Sequence, residues 1–317
     1  MREKKADILV WGPMHASLTQ HLQRDFTVHN RWEIENVDAW AAEHGTNIRG
    51  VITSGVFGTD NAVLDLLPNL EVINSFGVGY DAIDAGYLAR RQIKLSNTPD
   101  VLNNAVAETA MALMLCVSRR ISEPERFVRA GHWGSGKFPL GNDLTGKTCG
   151  IVGLGKIGKT IAKRAAAFDM NIAYFRRGEP YALIDYTHYA DLSALAKASD
   201  YLIVIVPGGP DTQHLINGDV LKALGPSSYL INVARGSVVD EQALVAALLN
   251  DEIAGAALDV FEDEPNVPAE LLTLDNVVLT PHIGSGTHET RQAMADLVFA
   301  NVSRYFDEGQ LVTPVAC

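Results

Sequence analysis

The sequence predicts an α/β protein of two domains, each built on a doubly wound parallel sheet. Three observations support this fold class. Short apolar runs alternate with helix-like stretches along the chain, one of the runs leads directly into a glycine-rich turn and a helix, and 317 residues of which 47% are hydrophobic are sufficient for two cores.

Four apolar runs in the first third of the chain are interpreted as strands. They cover residues 6–11, 50–54, 70–74 and 92–96, and helix-like stretches fill the intervals between them. Strands separated by helices of this size pair in parallel and are buried on both faces. We therefore expect residues 5–98 to form an α/β unit of their own.

The next segment is interpreted as a bridge into a second domain. Residues 104–121 are apolar on most faces, which is typical of a buried helix. Residues 123–147 are rich in glycine and are expected to be irregular. Trp133 and Phe138 within them indicate either a contact arm or a loop that lies on its own domain.

The glycine-rich turn at the start of the second domain indicates phosphate binding. Gly153, Gly155 and Gly158 follow the apolar run 149–152 and open a helix with one apolar face. Glycines at this spacing allow a tight turn, a close approach of the backbone to phosphates and close packing of the helix on the strand. The helix N-terminus adds N–H donors and the positive end of its dipole. The stretch therefore predicts a site for the pyrophosphate of a dinucleotide.

The rest of the second domain repeats the alternation of apolar runs and helix-like stretches. Further strands of the same doubly wound sheet are expected at residues 171–175, 201–206, 229–233, 254–258 and 277–279. The final helical stretch, residues 287–307, is expected to cross back and pack on the first domain.

The residues after the second strand of this sheet favour one cofactor. A carboxylate there would bind the 2′-hydroxyl of NAD, but Arg176 and Arg177 follow the strand, and the first carboxylate is Glu179. Two guanidinium groups match a 2′-phosphate through charge-assisted, fork-shaped hydrogen bonds. We expect NADP(H) as the preferred cofactor, with NAD(H) also usable. The alternative is that both arginines are solvated surface charges and the two cofactors are used alike.

Three polar residues form a candidate catalytic set. Arg235, Glu264 and His282 each lie just past the carboxyl end of one of the later strands. Open parallel sheets bind their ligands beyond the carboxyl ends of the strands, so these side chains are expected to face a ligand.

Five ordered segments give the chain a resemblance to a known family. They are FGVGYD at residues 76–81, GLGKIG at 153–158, NVARG at 232–236, DVFEDEP at 259–265 and PHIG at 281–284. Through these segments, and over nearly all of its length, the chain resembles the D-isomer-specific 2-hydroxyacid dehydrogenases. Within that family the chain looks most like the NADP-dependent glyoxylate and hydroxypyruvate reductases and their hydroxyphenylpyruvate reductase relatives. The reason is the arginine pair after the second strand.

The resemblance implies an architecture and a reaction. Residues 100–284 would form an NAD(P)-binding Rossmann domain, and residues 1–99 with 285–317 would form a flavodoxin-like substrate-binding domain. The enzyme would reduce a small 2-keto acid of the glyoxylate or hydroxypyruvate type to the D-2-hydroxy acid by hydride transfer from NADPH, with a histidine as proton donor. Hydroxyphenylpyruvate and 2-ketogluconate are alternative substrates. The resemblance also implies a homodimer.

The resemblance further implies roles for individual residues. Arg235 would bind the substrate carboxylate and the keto oxygen, and the backbone N–H groups of Val78 and Gly79 would bind the same carboxylate. His282 would protonate the developing alkoxide, and the Glu264 carboxylate would stabilise the charged imidazole. Further cofactor contacts would come from Lys156, Ile157, Val206, Pro207, Val233, Asp259 and Gly284. Asp259 could equally be a structural residue that caps a turn.

Two other interpretations use the same fold. A formate dehydrogenase would carry Gln in place of Glu264, which argues against that branch. A dinucleotide-sensing regulatory binding protein is the alternative from a different functional class. Such proteins carry disordered extensions with interaction motifs, and almost no such sequence is present here.

Composition narrows the classes of partner. The formal net charge of −12 argues against nucleic acid or an anionic membrane as a partner. Residues 1–7 are charged and lack a signal-peptide pattern, and no apolar run is long enough to span a bilayer, so we expect a cytoplasmic protein. Three widely spaced cysteines fit a reducing compartment, and neither they nor the histidines have a spacing that predicts a metal site.

Overall fold

The chain divides into two units in the computed structural model, which describes residues 4–316. The first unit contains residues 4–102 together with residues 287–316, and the second contains residues 103–286. No helix within the described residues is both long enough and apolar enough to cross a membrane.

The first unit is built around a six-stranded sheet. Its strands are β1 (Asp7–Val10), β2 (Thr27–Asn30), β3 (Ile48–Thr53), β4 (Val72–Ser75), β5 (Lys94–Ser96) and β13 (Pro314–Val315). Its helices are α1 (Ala16–Asp25), α2 (Val37–His44), α3 (Asn61–Asp65), α4 (Ala85–Arg90) and α11 (His288–Glu308). The sheet order is β13-β5-β4-β3-β1-β2, and all neighbours are parallel except β13 and β5. The order β2-β1-β3-β4-β5 is that of flavodoxin-like folds, which confirms the predicted fold class for this unit.

Local signals in the sequence explain where helices of the first unit begin. The side chains of Asn36, Asp60 and Asp84 accept hydrogen bonds from the first backbone N–H groups of α2, α3 and α4, and Thr287 does the same for α11. Strand β4 is buried along its whole length, and α11 packs against α1 and β4. The loop that follows β4 therefore starts from a fixed position.

The second unit is built around a seven-stranded parallel sheet. Its strands are β6 (Thr148–Val152), β7 (Asn171–Phe175), β8 (Thr187–Tyr189), β9 (Tyr201–Val204), β10 (Tyr229–Asn232), β11 (Gly255–Leu258) and β12 (Val277–Leu279). Its helices are α5 (Asn103–Arg119), α6 (Ser122–Arg129), α7 (Lys156–Ala166), α8 (Leu192–Ala198), α9 (Gly218–Leu224) and α10 (Glu241–Leu249). The sheet order is β12-β11-β10-β9-β6-β7-β8. The order reverses between β6 and β9, which is the switch point of a Rossmann fold and confirms the predicted class.

The central strands of the second unit's sheet are almost completely buried. Strands β9 and β11 are buried at every position, and β6 and β10 at all but their first. The Cys149 thiol in β6 is fully buried, and burial raises its pKa to about 12, so it is an unreactive core residue.

Several elements differ from the expectation based on sequence. The apolar pattern does not predict β2, β8 or β13, because each is a short strand at a sheet edge with no buried residue. The expectation of irregular structure over residues 123–147 is wrong for α6, which begins that stretch as a helix without a buried residue. Strand β9 also ends two residues before its predicted end.

Candidate active site

The glycine turn between β6 and α7 has open space beside its second glycine. Gly153 has a left-handed backbone conformation (φ +103°), and a Cβ atom there would lie 2.7 Å from the Ile205 carbonyl oxygen. A Cβ atom on Gly158 would overlap the Gly153 carbonyl oxygen, so α7 packs directly on the turn. Gly155 precedes α7, and no described residue other than its chain neighbours has an atom within 4 Å of where its Cβ would be. The turn therefore fits a pyrophosphate at the N-terminus of α7.

Four of the other predicted cofactor residues lie around this turn. Lys156 and Ile157 are the first residues of α7. The Cγ1 atom of Val206 would lie 2.8 Å from a Cβ placed on the first glycine of the turn, and Pro207 is exposed next to it. Val233 lies apart from these four, buried directly after β10, which is separated from β6 by β9.

The two arginines after β7 are held differently. The Arg176 guanidinium lies 4.2 Å from the centroid of the Tyr181 ring and donates a hydrogen bond to the Glu179 carbonyl oxygen at 3.2 Å. The carbonyl oxygen of Arg176 accepts a hydrogen bond from His188 Nε2 at 3.1 Å. Arg177 has no hydrogen bond, ion pair or ring contact with any residue from 4 to 316. Both guanidinium groups can therefore bind a phosphate, but only Arg176 is fixed in advance.

His282 and Glu264 form a pair at the carboxyl edge of the second sheet. Nδ1 of His282 lies 2.8 Å from Oε2 of Glu264, and the two residues follow the neighbouring strands β12 and β11. Oε1 of Glu264 accepts a hydrogen bond from the Phe261 N–H at 3.1 Å. The side chains remain 34% and 25% exposed. Because Nδ1 contacts the Glu264 carboxylate, Nε2 is the ring nitrogen of His282 that can donate a proton to a ligand.

The surroundings of Glu264 favour its charged form. Burial acts to raise the pKa of this carboxyl group, but four interactions together lower it. They are the hydrogen bond and the charge of His282, the Phe261 N–H and the charge of Arg235. The same interactions show that the structure brings the three predicted catalytic residues together.

Two neighbours fix the loop that carries Arg235. The Asn232 side chain is buried and donates from Nδ2 to the Arg235 carbonyl oxygen at 3.0 Å, while its Oδ1 accepts from the Ala234 N–H at 3.1 Å. Gly236 lies so close to Phe261 that a Cβ atom on the glycine would overlap the Phe261 backbone. Asn232 and Gly236 therefore position the arginine relative to the turn that carries the carboxylate.

Asp259 holds the turn that carries His282. Its Oδ1 accepts hydrogen bonds from the Ile283 N–H at 2.8 Å and the Thr280 hydroxyl at 2.7 Å, and its Oδ2 accepts from the Gly284 N–H at 2.7 Å. The His282 N–H donates to the Asp259 carbonyl oxygen at 2.8 Å, and His282 has φ +51°, which is uncommon for a residue with a Cβ. These contacts match the turn-capping alternative for Asp259. A cofactor contact by Asp259 or Gly284 stays a prediction.

The loop after β4, in the first unit, has fixed carbonyl groups. The Val78 carbonyl oxygen accepts a hydrogen bond from the Asn97 side chain at 2.8 Å, and the Gly79 carbonyl oxygen accepts one from the Ser75 hydroxyl at 3.3 Å. Within residues 4–316 the amides of Val78 and Gly79 donate no hydrogen bond. The loop can therefore offer both N–H groups to a carboxylate.

Arg291 is a candidate that no sequence motif indicates. It lies in α11, and its guanidinium is 5.9 Å from the ring centroid of Phe76, the residue directly before the Gly77–Gly79 loop. Arg291 is half-buried, and burial lowers its pKa from the ordinary value. It forms no ion pair with a carboxylate in the described part of the chain. In sequence it looks like any solvated charge on a surface helix, so only its burial distinguishes it.

The second unit combines a pyrophosphate turn with an arginine and a histidine–carboxylate pair at one edge of a parallel sheet. The arginine can bind a carboxylate or polarise a carbonyl, and the histidine can donate a proton. This combination is typical of dehydrogenases that use a nicotinamide dinucleotide. Among the residues that the structure describes, no group of three or more His, Cys, Asp or Glu side chains could hold a metal ion.

Comparison with known proteins gives the family. The family model described as D-isomer specific 2-hydroxyacid dehydrogenase, NAD binding domain, matches residues 111–284. A hydroxyphenylpyruvate reductase from Plectranthus scutellarioides is 44% identical over 308 residues, which cover 97% of this chain and 98% of that protein. A 2-ketogluconate reductase from Gluconobacter oxydans is 45% identical over 312 residues, which cover 98% of this chain and 99% of that protein.

A solved structure is similar over the same length. The NADPH-dependent glyoxylate/hydroxypyruvate reductase from Sinorhizobium meliloti, in complex with NADP and malonate, has a TM-score of 0.93 and 44% identity, covering 99% of this chain and 97% of that one. The chain belongs to the D-isomer specific 2-hydroxyacid dehydrogenase family, as its sequence motifs predict. Its second unit contains the NAD-binding domain of that family.

Proposed function

We propose that this enzyme reduces a small 2-keto acid of the glyoxylate or hydroxypyruvate type to the D-2-hydroxy acid, with NADPH as the reductant. The observation that carries the proposal is the 2.8 Å contact between His282 Nδ1 and Glu264 Oε2, on the sheet edge that also carries Arg235. Reduction of a keto acid requires a proton donor and a cation for the carboxylate, and these residues supply both. The similar protein named a glyoxylate/hydroxypyruvate reductase supports the choice of substrate.

In this proposal residues 100–284 are the cofactor domain, and residues 1–99 with 285–317 are the substrate domain. The glycine turn and the N-terminus of α7 bind the pyrophosphate, and Arg176 and Arg177 bind the 2′-phosphate. The remaining cofactor contacts come from Lys156, Ile157, Val206, Pro207, Val233, Asp259 and Gly284. When bound, NADPH supplies the hydride that reduces the keto carbon.

The substrate is held by positive charge and backbone donors. Arg235 binds the carboxylate and the keto oxygen, because a planar guanidinium can donate to both at once. Val78 and Gly79 donate their N–H groups to the same carboxylate. Arg291 adds a second positive charge beside the loop that contains them.

His282 supplies the proton of the reaction. It holds a proton on Nε2 and gives it to the alkoxide oxygen that forms as the keto group is reduced. Glu264 stabilises the imidazolium before this transfer and afterwards accepts the Nδ1–H hydrogen bond of the neutral ring. Asp259 keeps the histidine in its left-handed backbone conformation throughout.

We also propose that the enzyme is a cytoplasmic homodimer that binds neither nucleic acid nor membrane. The arm formed by α6 and the following residues exposes Val128, Trp133 and Leu140, the last of them at 95%. Exposed apolar side chains on one segment favour a contact between protein subunits. A net charge of −12 disfavours nucleic acid and anionic lipid. Light scattering of the protein in solution tests the dimer, and a monomeric mass would contradict it.

The reaction is tested with a panel of keto acids, each with NADPH and with NADH in parallel. Turnover is monitored as the loss of absorbance of the reduced cofactor. The panel contains glyoxylate, hydroxypyruvate, hydroxyphenylpyruvate, pyruvate and 2-ketogluconate. We expect turnover of glyoxylate or hydroxypyruvate with NADPH. Faster turnover of hydroxyphenylpyruvate or 2-ketogluconate, the substrates in the names of two relatives, would reassign the substrate.

A matched variant separates catalysis from binding in this test. His282→Gln is expected to bind NADPH like the wild type and to lose turnover. Tight binding of NADPH by the wild type without turnover of any keto acid would contradict the proposal and favour a dinucleotide-sensing binding protein.

A further inference from the structure

The peptide units of the loop after β4 are oriented through their carbonyl groups. The Gly77 carbonyl shares a peptide unit with the Val78 N–H, and the Val78 carbonyl shares one with the Gly79 N–H. The carbonyl and the N–H of a trans peptide unit point in opposite directions, so a hydrogen bond to the carbonyl sets the direction of the N–H. The Gly77 carbonyl oxygen accepts from the Thr98 N–H at 2.9 Å, and the Val78 carbonyl oxygen accepts from Asn97 Nδ2 at 2.8 Å. The two residues directly after β5 therefore aim both loop N–H groups.

The peptide unit between Asn97 and Thr98 is held in the same way. The Asn97 carbonyl oxygen accepts a hydrogen bond from the Thr313 hydroxyl at 2.7 Å. Thr313 directly precedes β13, the strand that pairs with β5. Because the Asn97 carbonyl and the Thr98 N–H belong to one peptide unit, the Thr313 hydroxyl sets the direction of that N–H. Thr98 is fully buried, so its N–H is shielded from water.

Asn301 of α11 fixes the hydroxyl of Thr313. The Asn301 side chain is fully buried, and its Oδ1 accepts from the N–H groups of Val312 and Thr313, each at 2.9 Å. Its Nδ2 donates to Thr313 Oγ1 at 2.8 Å and to the Leu297 carbonyl oxygen at 2.9 Å. The amide thus uses both of its donors and both acceptor positions. Since the Thr313 oxygen accepts from Asn301, its own hydrogen is left to donate to Asn97.

These contacts form one chain of hydrogen bonds in which each group donates to the next. The chain starts at Asn301 Nδ2 and passes through the Thr313 hydroxyl. It continues through the peptide units of residues 97–98 and 77–78 and ends on the Val78 N–H, which donates to no described residue. Hydrogen bonds in such a chain polarise one another, so the last donor binds an anion more strongly than an isolated N–H would.

We propose that Asn97, Thr313 and Asn301 are positioning residues for the carboxylate of the substrate. Thr313 and Asn301 orient and strengthen the Val78 N–H through the chain, and the Asn97 side chain orients the Gly79 N–H through a separate branch. The inference rests on the proposed function, in which these two N–H groups bind the carboxylate of a keto acid. It makes the last residues of the first unit part of the machinery that recognises the substrate.

The hydroxyl of Thr313 is the link that can be removed with the smallest change in shape. Thr313→Val takes one partner from the Asn97 carbonyl and from Asn301 Nδ2. It should raise KM for the keto acid about three- to tenfold, the effect of one hydrogen bond, and leave kcat and the NADPH dissociation constant within about twofold. Thr313→Ser keeps the hydroxyl and should restore the wild-type KM. Thr273→Val is the control, because the Thr273 hydroxyl donates to the Glu270 carbonyl oxygen at a similar 2.8 Å but lies in the second unit.

The separate branch has its own variant, and a binding measurement removes the dependence on turnover. Asn97→Ala deletes the donor to the Val78 carbonyl oxygen and should raise KM by a similar factor. Malonate, a dicarboxylate without a keto group to reduce, is titrated calorimetrically into the full-length protein saturated with NADPH. Thr313→Val and Asn97→Ala should each weaken malonate binding about three- to tenfold, and Thr313→Ser should bind it like the wild type.

The outcomes separate this inference from the proposed function. If Thr313→Val and Asn97→Ala lower the melting temperature but leave KM and malonate affinity unchanged, the three residues are structural, and the proposed function stands without the chain. If Thr313→Ser raises KM as much as Thr313→Val, the hydroxyl is not responsible and the chain is wrong. If the wild type reduces no keto acid but binds malonate, and the variants weaken that binding, the reaction fails while the chain stands. A wild type that neither binds malonate nor reduces a keto acid would overturn both.

Discussion

Gly236 and Phe261 touch through their backbones, with no room for a Cβ atom on the glycine. The contact joins the loop of Arg235 to the turn that carries Glu264. Because Glu264 in turn binds His282, this close approach links the positions of the three proposed catalytic groups.

Replacement of Gly236 by alanine is the direct test of that dependence. Gly236→Ala is expected to lower the free energy of unfolding by about 1–3 kcal/mol, the usual effect of overpacking, and to reduce kcat/KM for the keto acid strongly. Thermal unfolding and steady-state kinetics measure the two effects. Gly136→Ala is the control, because within residues 4–316 only its chain neighbours have atoms near its Cβ position. If Gly236→Ala behaved like this control, the contact would have no role in positioning.

Glu264 is expected to hold the His282 ring in place for proton transfer. Glu264→Gln removes the carboxylate that contacts Nδ1 of His282, so kcat/KM at neutral pH should fall by about 10- to 100-fold. Steady-state kinetics with the keto acid measure the loss. Glu262→Gln serves as the control, since Glu262 contacts His214 and not His282. An unchanged kcat/KM in Glu264→Gln would contradict the role of the pair.

The same carboxylate should make a pH-dependent contribution to stability. The pKa of Glu264 in the folded protein is below the ordinary value of 4.5, so the charged group stabilises the fold above that value, and the contribution is lost as the pH falls through the folded pKa. Urea unfolding of the wild type and Glu264→Gln should therefore differ most above about pH 5 and converge in more acidic solution. A difference that did not change with pH would show that the charge is not responsible.

Asp259 is expected to act through the turn and not through the cofactor. Asp259→Asn replaces an acceptor oxygen with a donor beside backbone N–H groups, so we expect a loss of about 1–3 kcal/mol in unfolding free energy and a lower kcat. NADPH affinity should change little. Thr280→Val, which removes one of the hydrogen bonds to Asp259, should have a smaller effect of the same kind. A variant Asp259→Asn of full stability with weakened NADPH binding would instead establish a direct cofactor contact.

Arg291 is expected to bind substrate at some cost to the fold. Arg291→Gln should raise KM for the keto acid by about 10- to 100-fold, because a charge-assisted hydrogen bond is lost, with the NADPH dissociation constant unchanged. Its unfolding free energy should stay level or increase, because a half-buried unpaired charge is removed. Arg304→Gln, on the same helix in an exposed pair with Glu308, is the control. Lower stability with an unchanged KM would identify Arg291 as a structural residue.

The buried part of the fold can be predicted from the sequence because burial leaves a pattern there. Strands such as β9 and β11 are buried at every position, so they can be recognised in the sequence as apolar runs. Strands β2, β8 and β13 lie at sheet edges and are partly exposed, so their composition does not differ from that of a loop.

The candidate site could be predicted in part for a similar reason. Arg235, Glu264 and His282 follow recognisable strands, so their position at one sheet edge can be inferred, whereas the close approach of Gly236 to Phe261 depends on packing between distant segments. Arg291 is a charged residue on α11. Only its tertiary neighbours distinguish it from a solvated surface group.

The antiparallel pairing of β13 with β5 has a consequence for the order of folding during synthesis. The second unit is continuous in sequence, so all of its strands have left the ribosome once residue 286 has emerged. The first unit lacks α11 and β13, the second partner of β5, until residues 287–316 are made. While translation continues, the edge of β5 is an unpaired template of the kind that other chains can join, and Pro314–Val315 closes it last.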